Sequence, residues 1–237
     1  MKKFEQVLFC DNEGCLTPGK GRAYDLVGLI RLREALAILR IQLVLTTGRS
    51  APYCESLLQS IGLQSADYPM ICEGGGIFFT PATERIEITK KPELPISELR
   101  NYINERINCR FEPGKINCLS LYPEGGKSVE DINIELDSFF SNFDAYFEKT
   151  CSKAAVDIVP KYVSKGYALE KWCSNFDIEI KNCIGIGDAE NDKSFLQLLE
   201  KSACPANASK EIKTLSSYVS KKKDIWGTID IINFFLG

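Results

Sequence analysis

Short apolar runs separated by amphipathic stretches set the rhythm of the first eighty residues. Val7 to Cys10 is a continuous apolar run that stops at Asp11, the pattern of a strand buried on both faces of a parallel sheet. Between Asp25 and Arg40, the leucines Leu29, Leu32, Leu36 and Leu39 recur at helical spacing. Leu43 to Leu45 predicts a second strand, ending at Thr46-Thr47-Gly48-Arg49. Ser50 is placed to cap the next helix, Pro52 suits its first turn, and Gly62 suits its end. A third strand, Met70 to Cys72, runs into the Gly74-Gly75-Gly76 turn.

The pattern changes after about Thr80. Ile86 and Ile88 alternate with polar residues, and helices are expected from Ile96 to Ile107 and from Val129 to Phe140. Strands are expected at Ile116 to Tyr122, Ala145 to Glu148 and Ala154 to Val159, which together read as a separate α+β module. After Lys165 the βα alternation resumes. It gives a helix over Tyr167 to Ser174, a strand over Cys183 to Gly187 and a helix over Lys193 to Glu200. A short strand end at Ala203-Cys204-Pro205 precedes helices around Lys210 to Tyr218 and Ile229 to Phe235. The fold class expected is α/β: a discontinuous parallel-sheet core, 1–81 and 161–237, with an α+β insertion at 82–160. The crossings near Pro81 and Pro160 are its natural hinges.

Composition narrows the chemistry. The chain has 237 residues and no histidine, which removes imidazole bases, Ser-His and Cys-His catalysis and the usual transition-metal ligands. There are ten cysteines but no C-x-x-C pair, so zinc is not expected. After Met1-Lys2-Lys3 the apolar run is too short for an export signal. The thiols are therefore expected to be reduced and mostly buried in a cytoplasmic protein. A net charge of −3 gives no basic face for nucleic acid, and Lys221, Lys222 and Lys223 read as a solvated loop. No stretch reaches membrane length, so no membrane partner is expected. A homodimer stays open as the assembly.

Ligands of open parallel sheets bind beyond the carboxyl ends of the strands. Three polar clusters fall there: Asp11 to Gly14, Thr46 to Arg49, and Gly187 to Asp192. Asp11, Asp188 and Asp192 would converge from adjacent strands, and three close carboxylates need a cation or shared protons. With oxygen ligands alone, a hard ion such as Mg2+ is favoured, and Mg2+ is commonly paired with phosphate oxygens.

These clusters resemble the motifs of the haloacid dehalogenase superfamily of phosphotransferases. Asp11-Asn12-Glu13-Gly14 matches its first motif, Asp-x-Asp-Gly, with one departure; Leu43 to Thr47, followed by Gly48-Arg49, matches the second. Ser164-Lys165-Gly166 supplies the lysine of the third, and Gly187 to Asp192 matches the fourth in full. The insertion looks like the larger α/β cap of one branch. There, Cys72 to Ile77 and Ala203 to Ala208 are similar to archaeal phosphoglycolate phosphatases, with sucrose-phosphate and mannosyl-phosphoglycerate phosphatases as neighbours.

The resemblance implies a phosphomonoester hydrolase acting on a small phosphorylated acid or sugar. Asp11 would be the nucleophile, forming an aspartyl-phosphate. Mg2+ would be held by Asp11, Asp188 and the backbone carbonyl of Glu13, with Asp192 helping directly or through water. Thr47 and Lys165 would hold phosphoryl oxygens, Gly48 and Arg49 would line the substrate site, and Asn191 would support the shell. The cap would set specificity, with Arg110, Lys115, Lys127 and Lys161 available for a second anionic group. Gly74 stands where relatives often carry Asn at the substrate region. Glu13 stands where the superfamily uses Asp as acid and base. Its extra methylene moves the carboxyl by roughly an ångström, a misplacement that can cost about a hundredfold. Two readings stay open there: a shifted backbone re-aims Glu13 and turnover survives, or the site binds without turning over. Phosphoryl transfer to an acceptor, as in mutases, is the other alternative.

Overall fold

The computed structural model describes residues 4–19, 21–151 and 154–237, so Met1-Lys2-Lys3 lie outside the described residues. The central sheet starts with β1 (Gln6–Cys10), in which Val7 and Phe9 face one layer and Leu8 and Cys10 the other. The helix α1 (Leu26–Ile38) is capped by the Asp25 carboxylate, which accepts from the Gly28 amide at 3.0 Å, and leads into β2 (Ile41–Leu45). The helix α2 (Ala51–Ile61) starts after Ser50, carries Pro52 in its first turn and ends at Gly62 with φ of 67°. The Ser50 side chain makes no capping hydrogen bond.

Next come β3 (Met70–Cys72), β4 (Ile77–Thr80) and β5 (Arg85–Ile88), an antiparallel set joined to the main sheet by a parallel bridge between Thr46 and Ile71. The inserted segment adds α3 (Ile96–Asn104), β6 (Cys109–Phe111), β7 (Leu119–Pro123), α4 (Val129–Phe140), β8 (Phe147–Cys151) and β9 (Val156–Pro160). Its sheet order is β6-β7-β9-β8, all antiparallel, and α3 and α4 share with it a hydrophobic core including Leu99, Leu121, Leu136 and Ile158.

The chain returns through α5 (Lys165–Asn175), β10 (Cys183–Ile186), α6 (Lys193–Leu196), β11 (Lys201–Cys204), α7 (Lys210–Leu215), β12 (Tyr218–Val219) and α8 (Asp224–Leu236). The parallel sheet runs β12-β11-β10-β1-β2. Within it, β1 has β2 on one side and β10 on the other, so the strand order reverses there, the place where ligands of open parallel sheets bind beyond the carboxyl ends.

Several sequence expectations shift for local reasons. The strand expected from Ile116 starts at Leu119, because the amides of Ile116, Asn117 and Cys118 are taken by the Glu73 carboxylate. The helix expected to reach Glu200 ends at Leu196, where 3-10 type bonds at Leu198 and Leu199 turn the chain into β11. The strand expected at Ala145 to Glu148 runs instead over Phe147–Cys151, because residues 141–146 are spent on a turn closed by Phe143. The last helix begins five residues before the apolar run that announced it.

Candidate active site

The loop after β1 is set by its own hydrogen bonds. The Asn12 carbonyl accepts from the amides of Cys15, Leu16 and Thr17, folding the chain sharply after β1. Gly14, with φ of 77°, lies where a Cβ would sit 2.1 Å from Asp188 Oδ2, so only glycine lets the first and fourth motifs close up. The Asp11 amide donates to the Ile186 carbonyl, locking the end of β1 to the end of β10.

Asp11, Asp188 and Asp192 come together, each offering a carboxylate oxygen within 4.8 Å of the others. Lys165, only 1 % exposed, reaches between two of them: its Nζ lies 2.8 Å from Asp11 Oδ1 and 2.6 Å from Asp192 Oδ1. The other oxygen of Asp192 accepts from the amides of Asp188 and Ala189 at 2.9 and 3.0 Å. Both Asp192 oxygens are thus committed to shaping the loop and holding the lysine. Asp11 and Asp188 keep the freer oxygens.

The electrostatics follow from burial. Desolvation, then the Asp192 charge, drives the Asp11 carboxyl well above its ordinary range, and Lys165 only partly opposes this. Asp188 is pushed up to about 7 by burial and then by Asp192. Burial works against the Lys165 charge, but Asp11 and Asp192 outweigh it and raise the ammonium above its usual value. An all-oxygen set with two raised carboxyls fits a hard divalent cation, which would be held by Asp11 and Asp188 with Asp192 behind them.

Beside the acids, Thr47 is fully buried, and its amide donates to Ile71 across the β2–β3 junction. Its Oγ1 accepts from the Arg49 amide at 3.2 Å and lies 3.5 Å from Glu13 Oε2. Glu13 points to Arg49, whose Nε is 2.5 Å from Glu13 Oε1. Burial disfavours the Arg49 charge, yet Glu13 more than offsets it and raises the guanidinium's pKa. Gly48 is half-buried between Thr47 and Arg49, and Asn191 is exposed in the turn before Asp192. Of the four cations expected to meet a second anionic group, Lys115 lies in the loop packed on the start of α2, 7 % exposed. Arg110 stacks on Tyr122, Lys127 pairs with Glu135, and Lys161 is half-buried just after β9.

Glu73 is the site residue whose role the sequence did not announce. Its φ is 52°, and its carboxylate accepts from three successive amides of the inserted segment: Ile116 at 3.0 Å, Asn117 at 2.8 Å and Cys118 at 3.0 Å. Asn117 Nδ2 adds a bond to the Gly76 carbonyl. Gly75 packs so closely on Ser164 that a Cβ would lie 2.2 Å from its carbonyl. This turn therefore joins the insertion to the lysine loop. The glutamate was visible in the Cys72 to Gly76 motif, but nothing in its spacing showed what it would bind.

A sequence profile described as haloacid dehalogenase-like hydrolase matches residues 126–232, which carry Lys165, Asp188 and Asp192. The chain is 28 % identical to a phosphoglycolate phosphatase of Picrophilus torridus over 92 % of this chain and 86 % of that protein. It is 27 % identical to one of Methanopyrus kandleri, covering 90 % and 89 %. Residues 126–232 thus resemble haloacid dehalogenase-like hydrolases, and about nine-tenths of the chain is similar to proteins named as phosphatases. Its fold is shared with a Thermoplasma acidophilum structure at a TM-score of 0.79 and 22 % identity, covering 98 % of each chain. The sucrose-phosphatase of Synechocystis, solved with sucrose and phosphate, superposes at a TM-score of 0.71 with 17 % identity, again over 98 % of each chain. Among the described residues, no helix is long and apolar enough to cross a membrane.

Proposed function

We propose that the protein hydrolyses small phosphate monoesters with Asp11 as nucleophile and Mg2+ as cofactor. The observation that carries this is the Asp11–Lys165–Asp192 triad beside Asp188, at the carboxyl ends of the two strands where the sheet order reverses. A bound Mg2+ would ionise Asp11 and Asp188 and neutralise phosphoryl charge. Asp11 attacks phosphorus, the ester P–O bond breaks, and the leaving oxygen takes a proton from Glu13. Water then attacks the aspartyl-phosphate, returns a proton to Glu13 and releases phosphate, restoring Asp11. Thr47 and Lys165 would donate to the phosphoryl oxygens; both are buried, and Lys165 lies against Asp11.

The Glu73 clamp supports 82–160 as a cap on a core of 1–81 and 161–237, with Lys115 on its site-facing loop. Phosphoglycolate, named in the relatives' activity, and a sugar phosphate are the two substrates the reading favours. The test is phosphate release from a phosphometabolite panel with Mg2+, for the natural protein and Glu13→Asp. Turnover in the natural protein is expected. Silence there, with turnover appearing in Glu13→Asp, would instead assign the natural site to binding. Transfer of phosphate to an added sugar in preference to water would make the protein a phosphotransferase.

A further inference from the structure

Glu13 carries one methylene more than the aspartate of the matching motif, and an unanchored glutamate spreads its carboxyl over several rotamers. Here it has an anchor. Arg49 Nε meets Oε1 at 2.5 Å, and Thr47 Oγ1 lies 3.5 Å from Oε2. Arg49 is itself fixed on three sides. Its guanidinium lies over the Tyr53 ring at 4.5 Å, its Nη1 is 3.5 Å from Glu112 Oε1 of the inserted segment, and its side chain is only 13 % exposed. Tyr53 in turn is held in the nucleophile loop's own network. Its hydroxyl is 2.7 Å from that of Tyr24, which donates to Asn12 Oδ1 at 2.7 Å, while Asn12 Nδ2 donates to Tyr53.

We propose that Arg49 is the positioning residue that aims Glu13 at the leaving oxygen. The contact from Glu112 makes that aim depend on the insertion being docked. The inference rests on the phosphatase reading and assigns Arg49 to the acid–base group, where the sequence alone had placed it against the substrate. A planar guanidinium suits the task, since it stacks on Tyr53 through its face while its edge donates to Glu13 and pairs with Glu112. A carboxyl shorter by one methylene would fall away from Nε, so the pairing of Glu13 with Arg49 is a matched set.

The experiment compares two substrates with Mg2+: an alkyl phosphate, whose leaving oxygen needs a proton, and p-nitrophenyl phosphate, whose leaving group departs as a stable phenolate. In single-turnover release of the alcohol or phenol, which reads the phosphorylation step alone, Arg49→Ala is expected to lower the rate about a hundredfold on the alkyl ester and only a few-fold on the aryl ester. Arg49→Lys keeps the charge without the fork or the stack, and should show the same selective loss at about tenfold. It carries the test if circular dichroism shows Arg49→Ala unfolded. In a Glu13→Asp background, Arg49→Ala should have little further selective effect, because the shorter carboxyl no longer reaches it. Equal losses of that single-turnover rate on both esters, or weaker substrate binding with that rate intact, would return Arg49 to a general structural or substrate-binding role and overturn the proposal. No phosphate from either ester with the natural protein would remove the phosphatase reading itself, and the proposal with it.

Discussion

Replacing Lys165 by methionine keeps the length and apolar stem of the side chain but removes the charge that holds the acidic cluster together. In the natural protein the ammonium sits within 2.8 Å of Asp11 and 2.6 Å of Asp192, and it is almost fully buried. Without it, carboxylates whose oxygens lie within 4.8 Å face one another directly. At an effective dielectric near 20, two unit charges that far apart repel by about 3.5 kcal/mol. Taking up protons relieves part of this, at the expense of an ionised Asp11. Breaking a buried ion pair from one side costs about 3–5 kcal/mol in general. For a chain of this size that corresponds to a loss of roughly 6–20 °C in melting temperature. The assay is thermal unfolding followed by circular dichroism at pH 8 in EDTA, then in saturating Mg2+. Lys165→Met should melt well below the natural protein in EDTA and recover part of the difference with Mg2+, because the cation replaces some of the missing positive charge. A variant as stable as the natural protein in EDTA would refute the idea that Lys165 neutralises the cluster.

Three further outcomes follow from the same geometry. Burial and Asp192 hold the Asp188 proton to about pH 7, so Mg2+ binding below that pH must displace it, and affinity should fall about tenfold per pH unit there; titration calorimetry in buffers of different ionisation enthalpy reads the released proton, and pH-independent binding would contradict the assignment. The sign for folding runs the same way: the unfolded carboxyl ionises first, so in EDTA the contribution of Asp188 to stability is greatest at low pH and is lost as pH rises to about 7; a urea midpoint whose Asp188→Asn difference does not change over that window would count against it. Glu73→Ala strands three amide donors, at about 1–3 kcal/mol for each buried one, and should expose the 89–118 region to limited proteolysis, whereas Glu73→Gln should resist it better.

Much of the core was legible because its signals are local. A continuous apolar run ending in a polar cluster marks a buried parallel strand and its carboxyl end in one stroke, as Val7 to Asp11 and Cys183 to Asp188 do. The grouping of Asp11, Asp188 and Asp192 followed from topology, since all three sit just beyond two adjacent strands. What stayed hidden depends on partners distant in sequence. β4 is fully buried but too short to show a period, and β6, Cys109-Arg110-Phe111, is shorter still. The three amides claimed by Glu73 lie more than forty residues away, so the late start of β7 could not be read from Ile116 to Cys118 alone. Glu13 looked like a lone departure for the same reason. The arginine that accommodates it is 36 residues further on, and only the fold brings them into contact.

The most direct test of the central claim is acid-quench mass spectrometry of the protein mixed with Mg2+ and a substrate identified by the panel. A peptide spanning Gln6 to Thr17 that carries one phosphoryl group, present in the natural protein and absent in Asp11→Asn, is the expected result. Phosphate release that persists in Asp11→Asn, with no phosphorylated peptide at any quench time, would contradict the account.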